Sequence, residues 1–364
     1  MMEQCKEKLS IAMFGQKRIP SREGGVEIVV EELCTRMVAQ GHNVTCYNRG
    51  GHHVSGSEYD SKRLKEYKGI KLKTVPTIEK KGLAAVSSSF FAALCCAFGK
   101  YDVVHIHAEG PAFFCWLPKL FHKRVIVTVH GIDWQREKWK SGFGSKFIHK
   151  GEKNAVKYAD EIIVKYTYET ITTPATTVLV SYSVDASGKI RVDVHYNGVQ
   201  GLPEFPVFGM RFIMPTLADK YLYKGLSGET YPDRKAGAQE GVYEIGDLSL
   251  TQYLVPQECG MRMDTEWLEI TRHTALDNSR KDSSSQTLRI EKNDEKFAFS
   301  CLPYTASEIE NALHHEELPP ARRTVLCIYG AVRGVGGIDS WGTDVEEDYR
   351  ISAETDKDYS FTIC

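Results

Sequence analysis

The feature that most constrains this chain is a change of pattern near residues 164–170. Before it, short apolar runs alternate with longer helical segments. Leu9–Phe14 leads through a loop into Val26–Gln40, which carries Ile28, Val29, Leu33 and Met37 at helical spacing and ends at Gly41. His42–Asn48, Val103–His107 and Val125–His130 read as strands, Phe147–Ala159 as a helix, and Glu161–Val164 as the start of another strand. That rhythm predicts a parallel sheet with helices on both faces, whose ligands sit at the carboxyl ends of the strands. After about Lys165 the rhythm is lost. Val178–Val184 and Ile190–Tyr196 alternate around Asp185-Ala186-Ser187-Gly188, a hairpin signal. Phe208–Met214, Gly241–Ile245, Glu266–Ile270, Thr287–Glu291 and Phe297–Cys301 continue as short strands, and Ser307–His315 reads as a helix with Ser307 as its N-cap. Short strands between frequent turns predict a β-sandwich. The expected organisation is therefore two domains of different class, an α/β domain over residues 1–164 and an all-β domain over residues 165–364.

A chain of 364 residues can bury two cores. Its net charge of −2 leaves no electrostatic footprint for nucleic acid or an anionic membrane. The ten cysteines include no CxxC pair, and Cys95-Cys96 are adjacent, so neither a zinc cluster nor a disulfide scaffold is indicated. Residues Met1–Lys8 are polar and Ile11–Phe14 is too short for the core of a signal peptide. Leu83–Phe98, the most apolar stretch, is interrupted by Ser87-Ser88-Ser89 and falls short of a membrane span. These features point to reduced thiols and a cytoplasmic location.

In the first half, Gly24-Gly25 stand just before a helix, where backbone N–H groups and the helix dipole can meet an anionic or hydroxyl-rich ligand. Glycines also serve an ordinary strand-to-helix turn. His130-Gly131-Ile132-Asp133 follows a strand directly, and His105, His107 and Glu109 follow the neighbouring one. Imidazole and carboxylate together suit a polyhydroxylated acceptor. His105 itself reads as a satisfied core residue. Residues 8–164 resemble the N-terminal domain of GT-B glycosyltransferases of family 4, with the Gly24-Gly25 loop and His130–Asp133 as the best motifs. The resemblance implies a Rossmann-like half of a GT-B fold that binds acceptor through Gly24, Gly25, His130 and Asp133. In that family a second Rossmann-like domain grips the nucleotide sugar, and no such domain follows here.

In the second half, Leu202–Phe212, Glu229-Thr230-Tyr231-Pro232-Asp233-Arg234, Tyr253–Arg262 and Gly334-Val335-Gly336-Gly337-Ile338-Asp339-Ser340-Trp341-Gly342 occur in order. Together they resemble the small chain, or last β-sandwich domain, of lacZ-type β-galactosidases (glycoside hydrolase family 2). The resemblance covers about residues 166–364 and implies a sandwich of the β-galactosidase supersandwich type. It also implies that Trp341 reaches the sugar, with Asp339 in the same loop. An indole in a glycine-rich loop can stack on a sugar face, whereas its plainer alternative is a ring buried in the core. Glu229, Asp233, Arg234, Glu258 and Arg262 are expected to form ion pairs that fix loops or seat the domain. The chain departs from the family pattern at Ile338, where an Asp is usual, at Tyr329 and Arg333 ahead of the glycines, and at Leu226-Ser227-Gly228.

A retaining glycosidase needs two carboxyl groups roughly 5–5.5 Å apart. In lacZ-type enzymes they come from an upstream barrel, which also holds the Mg and Na ions, and the first half of this chain contains no barrel pattern. No cofactor is expected in this chain, and alone it is expected to be inactive. Three functions follow. The first is a β-galactosidase component that acts with a separate large chain on galactosides. The second is a family 4 transferase fragment, and the third a non-catalytic carbohydrate-binding or chimeric fusion. The switch of pattern without a linker favours an accident of recombination or assembly.

Overall fold

A computed structural model describes residues 8–21, 24–51, 64–80, 83–130, 143–248, 250, 258–273, 285–336 and 342–364. The chain divides into two compact units. One holds residues 1–166 and 181–188, the other 167–180 and 189–364.

The first unit contains β1 (Ser10–Phe14), α1 (Gly25–Ala39), β2 (Asn43–Arg49), β3 (Glu66–Tyr67), β4 (Ile70–Val75), α2 (Leu83–Phe98), β5 (Val103–His107), α3 (Glu109–Ala112), α4 (Trp116–Leu120), β6 (Arg124–Val129) and α5 (Phe143–Tyr158). β7 (Glu161–Glu169) and β8 (Thr177–Asp185) run across the division. The strand order is β7-β6-β5-β1-β2-β4-β3, parallel throughout except for the edge strand β3. Alternation within β1 feeds two cores. Ile11 and Met13 pack with Val30, Cys34 and Val44 on the α1 side, and Ala12 and Phe14 pack with Ala92, Ala93 and Ile106 on the other. Helices therefore cover both faces, as the strand–helix rhythm predicts.

α2 was legible only as an apolar run. Its three serines are buried, and Ser87 and Ser88 hydroxyls donate to the carbonyls of Leu83 (2.8 Å) and Ala85 (3.1 Å). Small side chains whose hydroxyls bond within their own helix permit close packing without an unsatisfied polar group. Among the described residues no helix is long and apolar enough to cross a membrane.

The second unit adds β9 (Ile190–Tyr196), β10 (Val207–Met214), β11 (Lys220–Leu226), β12 (Glu240–Ile245), β13 (Arg262–Thr265), β14 (Trp267–Arg272), β15 (Gln286–Lys292), β16 (Phe297–Leu302), α6 (Ala306–Glu310), β17 (Thr324–Val332) and β18 (Lys357–Ile363). One antiparallel sheet runs β12-β11-β14-β15-β18-β9, and a four-stranded antiparallel sheet runs β10-β17-β16-β13. Aromatic side chains join them: Tyr221 and Tyr223 of β11 meet Phe299 of β16, and Phe361 of β18 meets Phe212 of β10. This is the β-sandwich expected from the short-strand pattern.

Three details differ from the sequence reading. β11, β13, β17 and β18 were not anticipated. The strand read as Glu266–Ile270 is β14, and β13, in the other sheet, ends at Thr265 just before it, after a register shift at which Asp264 adopts φ +53°. The helix read as Ser307–His315 is the shorter α6, and its N-cap is Thr305, not Ser307. Thr305 Oγ1 accepts from Glu308 N while the Glu308 carboxylate accepts from Thr305 N (2.8 Å), a reciprocal cap that Ser307 does not make.

β17 carries a one-residue bulge against β10. Phe208 lies opposite Ala331 and Gly209 opposite Tyr329, so Gly330 is the extra residue. A Cβ at Gly330 would stand 2.4 Å from the Tyr359 ring.

Candidate functional site

In the second unit, the feature of interest is the stem from which the Gly337–Trp341 segment departs. Gly337–Trp341, including the predicted Asp339 and Trp341, lies outside the described residues; its two flanks do not. On one flank the backbone is captured by the turn Tyr231–Arg234, closed by reciprocal backbone bonds between its end residues. Asp233 Oδ1 accepts from Val335 N (3.0 Å) and Oδ2 accepts from Gly336 N (2.8 Å). The Arg234 guanidinium donates to the Gly336 carbonyl. Gly336 has φ +69°, a conformation that favours glycine. Gly334 is buried, and a Cβ there would stand 2.8 Å from Asp233 Cγ and 2.9 Å from Tyr349 Cβ.

The turn is itself anchored. Glu229 Oε1 accepts from the Tyr231 hydroxyl (2.6 Å) and from Gly260 N (2.7 Å). Burial, then this carboxylate, pushes the Tyr231 phenol well above its usual range, so it stays a donor. Thus Glu229, Asp233 and Arg234 fix loops as the sequence suggests, but the bonds that do so run to backbone groups and a phenol. The guanidinium of Arg262 lies 6.0 Å from the Tyr223 ring centre, and its buried Nε has no hydrogen-bond partner among the described residues.

On the other flank, Arg333 and Arg350 both reach the Asp344 carboxylate, at 2.6 and 3.2 Å, and both reach Glu204 at 3.5 Å. Arg333 holds Asp344 below the usual carboxylate range, with the Val345 N–H assisting. Arg350 Nε donates to the Val345 carbonyl (2.7 Å). Beside the stem, Val207, Tyr231, Glu258 and Arg333 line a cleft of about 170 Å³.

In the first unit, strand order reverses between β1 and β5, where crevices form at carboxyl ends in such sheets. There Gly15, at φ +118°, lies against β5 so closely that a Cβ would stand 2.0 Å from the His107 carbonyl oxygen. His105, 4% exposed, shares a 2.6 Å hydrogen bond with Thr128 Oγ1 and is the satisfied core residue its sequence context suggests. His107 is fully buried and shares a 3.0 Å bond between its Nδ1 and His130 Nε2. The three rings stack in series, with centroids 4.3 and 5.3 Å apart. Burial, reinforced by Lys165 and His130, holds His105 down at about 3. Burial also drives His107 well below its usual value, with His105, His130 and Lys165 acting in the same direction. Both are neutral at pH 7.

Gly24 is the N-cap of α1 and Gly25 its first residue. A Cβ at Gly24 would stand 2.2 Å from Glu27 Oε2, because the Glu27 carboxylate folds back over the helix start and accepts from Lys17 N (2.9 Å). The positive end of the helix therefore already faces a buried carboxylate. Asp133 lies outside the described residues. Sequence reasoning missed Gln16 and Arg49. Gln16 Oε1, Arg49 Nε and His107 Nε2 are buried with no hydrogen-bond partner among the described residues. All three belong to the carboxyl ends of adjacent strands, which is the signal that would have singled them out.

Among the described residues no three His, Cys, Asp or Glu side chains stand together as metal ligands. The cysteines among them are free thiols, including Cys34 and Cys46 with sulfurs 3.4 Å apart.

The family model described as "Beta galactosidase small chain" matches residues 124–363, and that described as "Glycosyltransferase Family 4" matches residues 23–165. The chain is 58% identical over 205 residues to a β-galactosidase small subunit of Latilactobacillus sakei, a match covering 56% of this chain and 64% of that one. It is 37% identical over 196 residues to β-galactosidase BgaC of Bifidobacterium adolescentis, covering 52% of this chain and 18% of the other. With a β-galactosidase of Streptococcus thermophilus the figures are 32% over 206 residues, 56% and 19%. The chain thus spans under two thirds of the small subunit and about a fifth of the longer relatives.

Proposed function

The chain belongs to the β-galactosidase small-chain family, and from that premise we propose that it is a component of a galactoside hydrolase whose catalytic carboxylates lie on a separate large chain. The observation that carries this reading is the 58% identity to a protein named as a small subunit. The second unit is then a supersandwich-type domain that contributes Trp341 and Asp339 to the sugar site. Trp341 stacks on the galactose ring, and Asp339 accepts from a sugar hydroxyl. The carboxylate capture of the Val335-Gly336 backbone supports this, because a sugar-contacting loop needs a rigid stem. Any Mg or Na ion belongs to the large chain's barrel, where it would serve as a Lewis acid or hold the substrate. The free thiols support a cytoplasmic location.

The test is to mix the full chain with a β-galactosidase large chain and follow nitrophenyl-β-galactoside hydrolysis. We expect activity well above that of the large chain alone, and Trp341→Ala to lower kcat/KM by about 10²-fold, or ~2.7 kcal/mol. No gain with the wild-type chain would sink the reading.

A second reading concerns the first unit, which we propose is the acceptor half of a GT-B fold. The unpartnered Gln16, Arg49 and His107 atoms support a polar ligand there, alongside Gly24, Gly25, His130 and Asp133. The Glu27 carboxylate at the helix start favours a neutral, hydroxyl-rich ligand over a phosphate. Incubation with labelled nucleotide sugars should give no transfer, because nothing in the sequence resembles the donor domain. Observed transfer would overturn this assignment.

A further inference from the structure

The sandwich of the second unit has two outer faces, and their charges are disposed differently. We infer that the outer face of the four-stranded sheet is where the large chain docks, an inference that rests on the β-galactosidase reading above. Strand register assigns the faces. Phe208, Phe212 and Phe299 meet the other sheet, so the alternate positions point outward. Arg211 and Ile213 of β10 are therefore on the outer face, with Cys327 and Val325 of β17 opposite them and Ser300 and Leu302 of β16 beyond.

The outer face of the other sheet is already closed by its own ion pairs. Lys220 pairs with Glu244 (2.7 Å), Arg289 with both Glu269 and Glu291 (each 2.6 Å), and Arg191 with Asp193 (2.8 Å). His195 bonds to Asp358 (2.7 Å), and Lys224 pairs with Glu266 (2.8 Å). A partner that covered these pairs would desolvate them without offering either member a better contact.

The four-stranded face is left open. The side chains of Arg211 and Glu258 make no hydrogen bond or ion pair among the described residues, and both stand on one cleft of about 180 Å³. Ser300, Cys327 and Tyr329 line the same cleft, and the Ser300 and Tyr329 hydroxyls bond each other (3.2 Å). Burial raises the Cys327 thiol, and Arg211 and Glu258 act on it in opposite directions, so both charges bear on the same place. Ile213, next along the strand face from Arg211, is 52% exposed.

These features select a protein as the occupant. The cleft is smaller than the roughly 300–1,000 Å³ of small-molecule pockets, yet it can take one long side chain. An unpaired cation and an unpaired anion beside exposed apolar surface suit a partner that brings the opposite of each. In the Bifidobacterium and Streptococcus relatives the matching segment is 18% and 19% of a longer chain, which gives it a covalent neighbour. Here the large chain takes that neighbour's place.

The full chain is titrated with the large chain that serves the 58%-identical small subunit. Kd is read by sedimentation, alongside hydrolysis of nitrophenyl-β-galactoside. Arg211→Glu, Glu258→Lys and Ile213→Asp should each raise Kd about tenfold or more, with activity at limiting chain falling in step. Lys220→Gln and Arg191→Gln, on the other face, should change Kd by less than about twofold. Urea midpoints equal to the wild type separate docking from folding. If a charge reversal lowers its midpoint, Arg211→Gln and Glu258→Gln decide by the same criterion. Wild-type Kd in the four-stranded variants, or a larger loss in the other pair, overturns the inference and leaves the β-galactosidase reading standing. Self-association of the chain alone that Arg211→Glu abolishes would make a second copy the occupant, and overturns it too. A large chain that neither binds the wild type nor gains activity from it removes the β-galactosidase reading, and this inference with it.

Discussion

The two candidate sites treat polar groups in opposite ways. At the stem in the second unit, the charges that hold the two flanks end on partners. Asp233 meets backbone N–H groups, Arg333 and Arg350 meet Asp344, and Glu229 meets a phenol and an N–H. In the crevice of the first unit, three polar atoms are buried without a hydrogen-bond partner among the described residues: His107 Nε2, Gln16 Oε1 and Arg49 Nε. A satisfied polar cluster holds a backbone in place, and an unsatisfied one has spare capacity for a ligand or water. The same contrast sets how each site responds to acid and to added bulk.

The largest expected difference comes from pH. His105 and His107 are buried neutral, so their folded-state pKa lies below the ordinary value of 6.5. Below 6.5 the unfolded chain binds these protons and the folded unit does not, so stability falls as pH falls, until pH approaches about 3 for His105. His105 alone should cost the first unit roughly 2 kcal/mol between pH 6.5 and 5, and His107 adds to that loss in the same direction. Asp344 behaves differently. Its pKa is depressed from 3.8, so its contribution persists above that value and is lost only as pH falls further. Amide exchange at pH 7 and pH 5, corrected for intrinsic rates, should show opening in β5 and β6 but not in β16 and β17. Equal loss in both units would break the contrast.

Two glycine substitutions sharpen it. At Gly15 the obstacle to a side chain is the backbone of His107, with the oxygen at 2.0 Å and the nitrogen at 2.8 Å, and φ is positive. Gly15→Ala should cost about 3 kcal/mol or more in urea unfolding of the first unit. At Gly334 the obstacles are the side chains of Asp233 and Tyr349. Gly334→Ala should cost about 1–2 kcal/mol, since those groups can shift. A reversed order would mean that the stem is the more rigid of the two.

Much of the architecture was legible in the sequence. Helical spacing in Val26–Gln40 and β-branched runs such as Val103–His107 reported their elements because each has one dominant environment. β17 was not legible because Val325, Leu326, Ile328 and Tyr329 are all buried, which removes the alternation that marks a strand. α2 was obscured for the same reason, with the buried serines adding a false break. β13 was hidden because it is four residues long and irregular, with a positive φ at Asp264 for which no glycine or proline gives notice. At the sites, the histidines could be found from their place at the carboxyl ends of strands. That Asp233 and Glu229 serve backbone N–H groups could not, because sequence separation conceals which loops meet.

The bulge at Gly330 has a consequence best put as parity. Up to Tyr329, odd-numbered residues of β17 share a face with Ala298 and Met261; beyond the bulge that face passes to an even-numbered residue, Val332. Were Gly330 to take a regular place in the ladder, Val332 would turn away from that cluster, and Arg333 would leave on the opposite side from Asp344 and Glu204. The placement of the two described flanks is thus stored as a whole number of residues. Changes in strand length at this point are quantised: one residue preserves or reverses the assembly of both flanks, and no intermediate error is available.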